Sequence, residues 1–137
     1  MSKLIFLTVL FPLCAQAQSV TCASVKVLSK YEIVDLAQAG RMHICPGPQF
    51  SKYELIDIAR AGVKLTLFTD QLKLSKYELV DLAKAGKLTL YVNSEKFSKY
   101  ELLDIIGAGI STIILRDGIY SKYELVELMK AGAVFGN

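Results

Sequence analysis

The chain has a single histidine, His43, with Cys45 two residues along. Alternate residues of a strand share a face, so the two side chains could form a nucleophile pair or two metal ligands. Zinc asks for three or four ligands, and no third imidazole or acidic group stands beside them. No metal site is therefore expected, and a solvated histidine is the simpler account. If Cys45 is disulfide-bonded, the nucleophilic and metal readings fall together. The carboxylates form two series, Asp35, Asp57, Asp81, Asp104 and Glu127, and Glu32, Glu54, Glu78, Glu101 and Glu124. Paired carboxylates run acid–base chemistry only where burial or coupling drives their pKa values apart. A series repeated five times points instead to a structural role, and Lys30, Lys52, Lys76, Lys99 and Lys122 alternate with it. No GxGxxG, P-loop, HExxH, EF-hand or GxSxG pattern occurs. The expectation is a protein with no cofactor and no catalytic activity.

The elements that position these residues come from a repeat. S-K-Y-E begins at Ser29, Ser51, Ser75, Ser98 and Ser121, at intervals of 22 to 24 residues, the mark of a repeat array. In each copy the serine is an N-cap and the glutamate stands at N3, the reciprocal capping box. An apolar residue before each cap (Leu28, Phe50, Leu74, Phe97, Tyr120) faces one at N4 (Ile33, Leu55, Leu79, Leu102, Leu125), a hydrophobic staple. Ala-Gly stops each helix, and glycine at C′ implies a positive φ at Gly40, Gly62, Gly86, Gly109 and Gly132. Helices of about ten residues do not persist alone in water, so these must dock on neighbours. The tyrosine column, Tyr31, Tyr53, Tyr77, Tyr100 and Tyr123, is expected to pack between adjacent helices.

After each glycine comes a short strand, clearest in Lys64–Phe68 and Lys87–Tyr91. Its alternation implies one buried face, whereas strands covered on both faces are continuously apolar. Helices thus cover one side, and right-handed βα units stack in sequence order. Strands repeat at about 4.8 Å and helices at about 9 Å, so the array curves, and closing a ring would need about fifteen units. The expected fold is an open curved α/β solenoid of five βα units of 22–24 residues, with a parallel sheet on the concave side and helices on the convex side.

The segments outside the repeats are also informative. Met1–Ala17 carries one lysine, an apolar run from Leu4 to Cys14 and Ala15-Gln16-Ala17, and reads as a signal peptide. The run is about half of what a bilayer requires. The division is then 1–17 signal peptide and 18–137 repeat domain, secreted or periplasmic, without stable membrane insertion after cleavage. That compartment permits a Cys22–Cys45 disulfide. The expected register opposes it, since Cys22 aligns with buried Ile44 and Cys45 with outward Ala23, unless the first strand shifts by a residue. The 16 basic and 13 acidic residues leave +3, too little to imply a nucleic-acid partner.

Leu88-x-Leu90-x-x-Asn93 resembles the strand portion of a leucine-rich repeat, and Leu65-x-Leu67-x-x-Asp70 is similar. The resemblance spans about Val20 to Gly132 and implies binding of protein partners on the concave sheet. On that face the expected columns are Arg41, Lys64 and Lys87 at a basic edge, then His43 with Thr21, Thr66, Thr89 and Ile113. An apolar stripe of Ala23, Cys45, Phe68, Tyr91 and Leu115 completes them. The binding surface is accordingly Arg41, His43, Lys64, Phe68, Lys87, Tyr91 and Leu115. The leading expectation is a protein-binding or assembly module, self-associating as a homo-oligomer through the stripe or the Ala133–Phe135 edge. The alternatives are carbohydrate or small-molecule binding on the aromatic stripe, and a hydrolytic enzyme.

Overall fold

A computed structural model of the chain describes residues 22–116 and 118–136. Met1–Ala17, the segment read as a signal peptide, lies outside the described residues, as do Thr21 and Asp117. The elements are β1 Ala23–Ser24, α1 Lys30–Ala39, β2 His43–Cys45, α2 Lys52–Arg60, β3 Lys64–Phe68 and α3 Lys76–Ala85. There follow β4 Leu88–Val92, α4 Lys99–Gly107, β5 Thr112–Leu115, α5 Lys122–Lys130 and β6 Val134–Phe135. The fold is mixed α/β: one six-stranded sheet in the order β1-β2-β3-β4-β5-β6, every pair parallel, flanked by helices that pack each on the next.

All five capping boxes close. Each serine Oγ accepts from the N3 glutamate N–H at 3.2–3.3 Å, and each glutamate Oε1 accepts from the serine N–H at 2.9–3.3 Å. Staple residues Phe50, Leu74 and Phe97 are buried over Leu55, Leu79 and Leu102. The core joins Ile44, Leu65, Leu67, Leu88, Leu90, Val92, Ile113 and Leu115 of the sheet to Ile33, Ile58, Leu82, Ile105 and Leu128 of the helices. Among the described residues the end elements have a neighbour on one side only, and Leu36, Val126, Met129, Val134 and Phe135 are exposed.

Three local expectations are corrected. Gly40 and Gly86 are extended, with φ of 176° and −177°, whereas Gly62, Gly109 and Gly132 do have positive φ. The second correction concerns β5, which pairs Leu90 with Ile113 and Val92 with Leu115. Ile113 and Leu115 therefore enter the core, and Leu115 leaves the expected binding surface. A run of three apolar residues, Ile113-Ile114-Leu115, carries no alternation, so pattern alone could not choose its face; Ile114 takes the place beside Tyr91. The third is at β1, where Ala23 pairs with Ile44 and Ser24 with Cys45. Relative to the expected register the strand is shifted by one residue, which puts Cys22 on the same side as Cys45. The two are disulfide-bonded, with Cα atoms 5.4 Å apart, inside the usual span.

Candidate functional site

The adjacent strands β3 and β4 place Phe68 opposite Tyr91. Their rings stack with centroids 5.0 Å apart and planes at 21°, and both are partly buried. The Arg116 guanidinium lies 5.7 Å from the Tyr91 centroid. A polar clasp immediately after the rings holds them. The Thr69 hydroxyl donates to Asn93 Oδ1 at 2.9 Å and accepts from the N–H groups of Asn93 and Ser94 at 2.8 and 3.1 Å. Asp70 N–H donates to the same Oδ1 at 3.0 Å, and Thr69 N–H to the Tyr91 carbonyl at 3.0 Å. The two strand ends are thereby locked in register, and the aromatic pair is preorganised.

Beside Phe68 the strand ends open onto loop 46–49. A cavity of about 570 Å³ lies there, lined by Lys26, Cys45, Pro46, Pro48, Gln49 and Gln71 among others. Pro46, Gly47, Pro48 and Gln71 also line a narrow cleft that reaches Phe68. Outside the carboxyl ends of parallel strands is where open α/β sheets bind ligands.

The other expected residues divide. Arg41, Lys64 and Lys87 are exposed near the strand starts, away from the rings. His43 is half-buried and its Nε2 is 2.5 Å from Thr66 Oγ1. Thr66 and Thr89 are buried, so they do not offer hydroxyls to a ligand. The disulfide consumes the thiol on which the nucleophile and metal readings of His43 with Cys45 depended. Sequence reasoning missed Thr69, Gln71, Ile114 and Arg116. Only Thr69 left a signal there, as a polar residue where the strand pattern breaks off.

On the helix layer the carboxylates are structural. Lys30, Lys52, Lys76 and Lys99 bridge to Asp57, Asp81, Asp104 and Glu127 of the following repeat at 2.9–3.2 Å. Hydrogen bonds to those acids raise the pKa of Lys30, Lys76 and Lys99. The Glu124 carboxyl is lowered by its hydrogen bonds to Ser121. Tyr120, half-buried and donating to the Phe97 carbonyl at 2.5 Å, is pushed up to about 12 by burial. The five column tyrosines do not pack between helices as expected: they are 70–77% exposed. At N2 their side chains leave the apolar arc that the N4 and later residues fill.

No protein-family model and no curated protein matches the chain. Among solved structures, a chain titled "QR15, an Aldolase" is similar over 84% of this chain and 87% of its own, at 14% identity and a TM-score of 0.34. The leucine-rich-repeat resemblance is corrected on these findings: no family model supports it, and the structural likeness is to a chain of another kind. The exclusion of catalysis does not stand beside a likeness to a chain titled as an enzyme. The protein-binding or assembly role is withdrawn with the repeat resemblance, and the stripe on which self-association rested loses Leu115 to the core. At this identity and score, neither the fold nor the reaction of that aldolase is carried over.

Proposed function

We propose that the chain binds a carbohydrate or a similar ring-bearing small molecule on the Phe68–Tyr91 pair, reaching into the cavity beside loop 46–49. The observation that carries the reading is the stacked, partly exposed pair fixed by the Thr69–Asn93 clasp. Aromatic faces held rigidly in this way bind flat apolar ring faces at little entropic cost. Arg116 stands by the Tyr91 ring, Gln49, Gln71 and Lys26 supply hydrogen-bonding groups in the neighbouring cavity, and a few polar groups in an otherwise apolar concavity are what small-molecule sites use. The reading includes an open, curved array. Its support is the linear strand order, in which β1 and β6 each have one partner among the described residues. It also includes a secreted or periplasmic location, supported by the disulfide and the leader-like Met1–Ala17. No helix of the described residues is long and apolar enough to cross a membrane.

The test is heteronuclear NMR titration with a panel of mono- and disaccharides. Binding should perturb the amides of Phe68, Tyr91 and Gln71, and Phe68→Ala or Tyr91→Ala should weaken it at least tenfold. Shifts confined to other surfaces, or affinity indifferent to both substitutions, would remove the proposal.

A further inference from the structure

In the S-K-Y-E motif, three residues have evident work. The serine and glutamate close the capping box, and four of the five lysines bridge to the next repeat. The tyrosine buries little in any copy: Tyr31, Tyr53, Tyr77, Tyr100 and Tyr123 are 72, 72, 73, 70 and 77% exposed. Folding does not account for five exposed aromatics in one row, and an exposed apolar array marks a contact surface.

The rings are also held. In the first four repeats the lysine Nζ lies 4.4–4.8 Å from its own repeat's tyrosine centroid, near enough for cation–π attraction. The lysine itself is anchored by the acid of the following helix. Among the described residues no helix follows Lys122's, and its distance to the Tyr123 ring opens to 6.0 Å. The inter-repeat ion pair is thus what seats the ammonium on the ring.

Grooves of one composition run between successive helices. That between α2 and α3 has a volume of about 690 Å³ and is lined by Lys52, Tyr53, Asp57, Arg60 and Asp81. That between α3 and α4, about 470 Å³, has Lys76, Tyr77, Lys84 and Asp104 over a floor of Gly107 and Ala108. Packed helices stand roughly 8–10 Å apart, so the grooves repeat at that spacing. Each bridging lysine is neutralised by an acid 2.9–3.2 Å away, and the excess charge left by Arg60 and Lys84 in these grooves is too small to select a polyanion.

We propose that the tyrosine row on the helix layer is a second binding face, which takes an extended neutral polysaccharide with its sugar rings stacked on successive tyrosines. The Lys–Asp pairs and Arg60 offer donors and acceptors to hydroxyls on either side. This face shares a ligand chemistry with the sheet site but no residue, so the two can fail separately.

The experiment uses the full chain with cello- and chito-oligosaccharides of two to six sugars and with insoluble cellulose and chitin. Affinity should rise with oligosaccharide length. The double variant Tyr53→Ser, Tyr77→Ser should lose at least tenfold for the longer oligosaccharides, whereas Tyr53→Trp, Tyr77→Trp should retain binding, and amide shifts at Arg60 and Lys84 should report this face apart from the sheet site. Because the rings are exposed, the urea midpoint of the serine variant should match that of the parent. Absence of binding to all these glycans would overturn the proposal, as would amide shifts confined to the Phe68–Tyr91 site. A preference for heparin over the neutral glycans, abolished by salt, would also overturn it.

Discussion

Replacing Gly86 with alanine should destabilise the protein, while the same change at Gly40 should not. Both glycines follow an alanine at a helix end, and both are extended, so neither backbone resists a side chain. They differ in what a Cβ would meet. At Gly86 it would lie 2.7 Å from the Ala59 carbonyl oxygen and 3.1 Å from that residue's carbonyl carbon and Cβ. Ala59 is buried in α2, and its carbonyl accepts from Gly62 N–H at 3.0 Å, closing that helix. Relief requires α2 and the Gly86 backbone to separate by about 0.7 Å, because ordinary contact begins near 3.4 Å. Overpacking of this kind costs about 1–3 kcal/mol. At Gly40 nothing lies within 4 Å, and restricting the unfolded chain should yield a gain of about 0.4–1 kcal/mol. Urea unfolding followed by far-UV circular dichroism, with equal m values, measures the difference. Stabilities of the two variants within about 0.5 kcal/mol of each other would refute the close approach of α2 to Gly86.

Three further outcomes are expected. Thr69→Val leaves the Asn93 and Ser94 N–H groups without their acceptor and should cost about 2 kcal/mol or more, with faster hydrogen exchange at those two amides. For Tyr120, whose folded pKa is about 12, the unfolded phenol ionises first, near its model value of 10.0. Stability should therefore be full below pH 10 and fall as pH rises toward 12; Tyr120→Phe should flatten that limb in alkaline denaturation curves. Reducing the Cys22–Cys45 bond, which spans 23 residues, should lower stability by roughly 3 kcal/mol on the chain-entropy model, read by denaturation with and without dithiothreitol.

Much of the architecture was legible because its causes lie within a few residues of one another. A serine and a glutamate three apart, an apolar pair across the cap and a terminal Ala-Gly bound every helix, and the structure closes all five caps. Alternation in Lys64–Phe68 and Lys87–Tyr91 gave the strands and the face turned to the helices, but not the burial of Thr66 and Thr89 on the other face. The repeat interval then implied parallel order. Where the local code is silent, tertiary contact decided. Ile113-Ile114-Leu115 offered no alternation, and its face was chosen by the ladder with β4, which sent Leu115 inward and Ile114 out beside Tyr91. Cys22 reached Cys45 only through a one-residue shift at a strand with a single neighbour. Gly40 and Gly86 read identically along the chain and differ by whether Ala59 stands opposite. The tyrosine row and the clasp from Thr69 to Asn93 depend on partners, or on their absence, a full repeat away. Local sequence cannot encode such a contact, because it exists only once the helices and strands have packed.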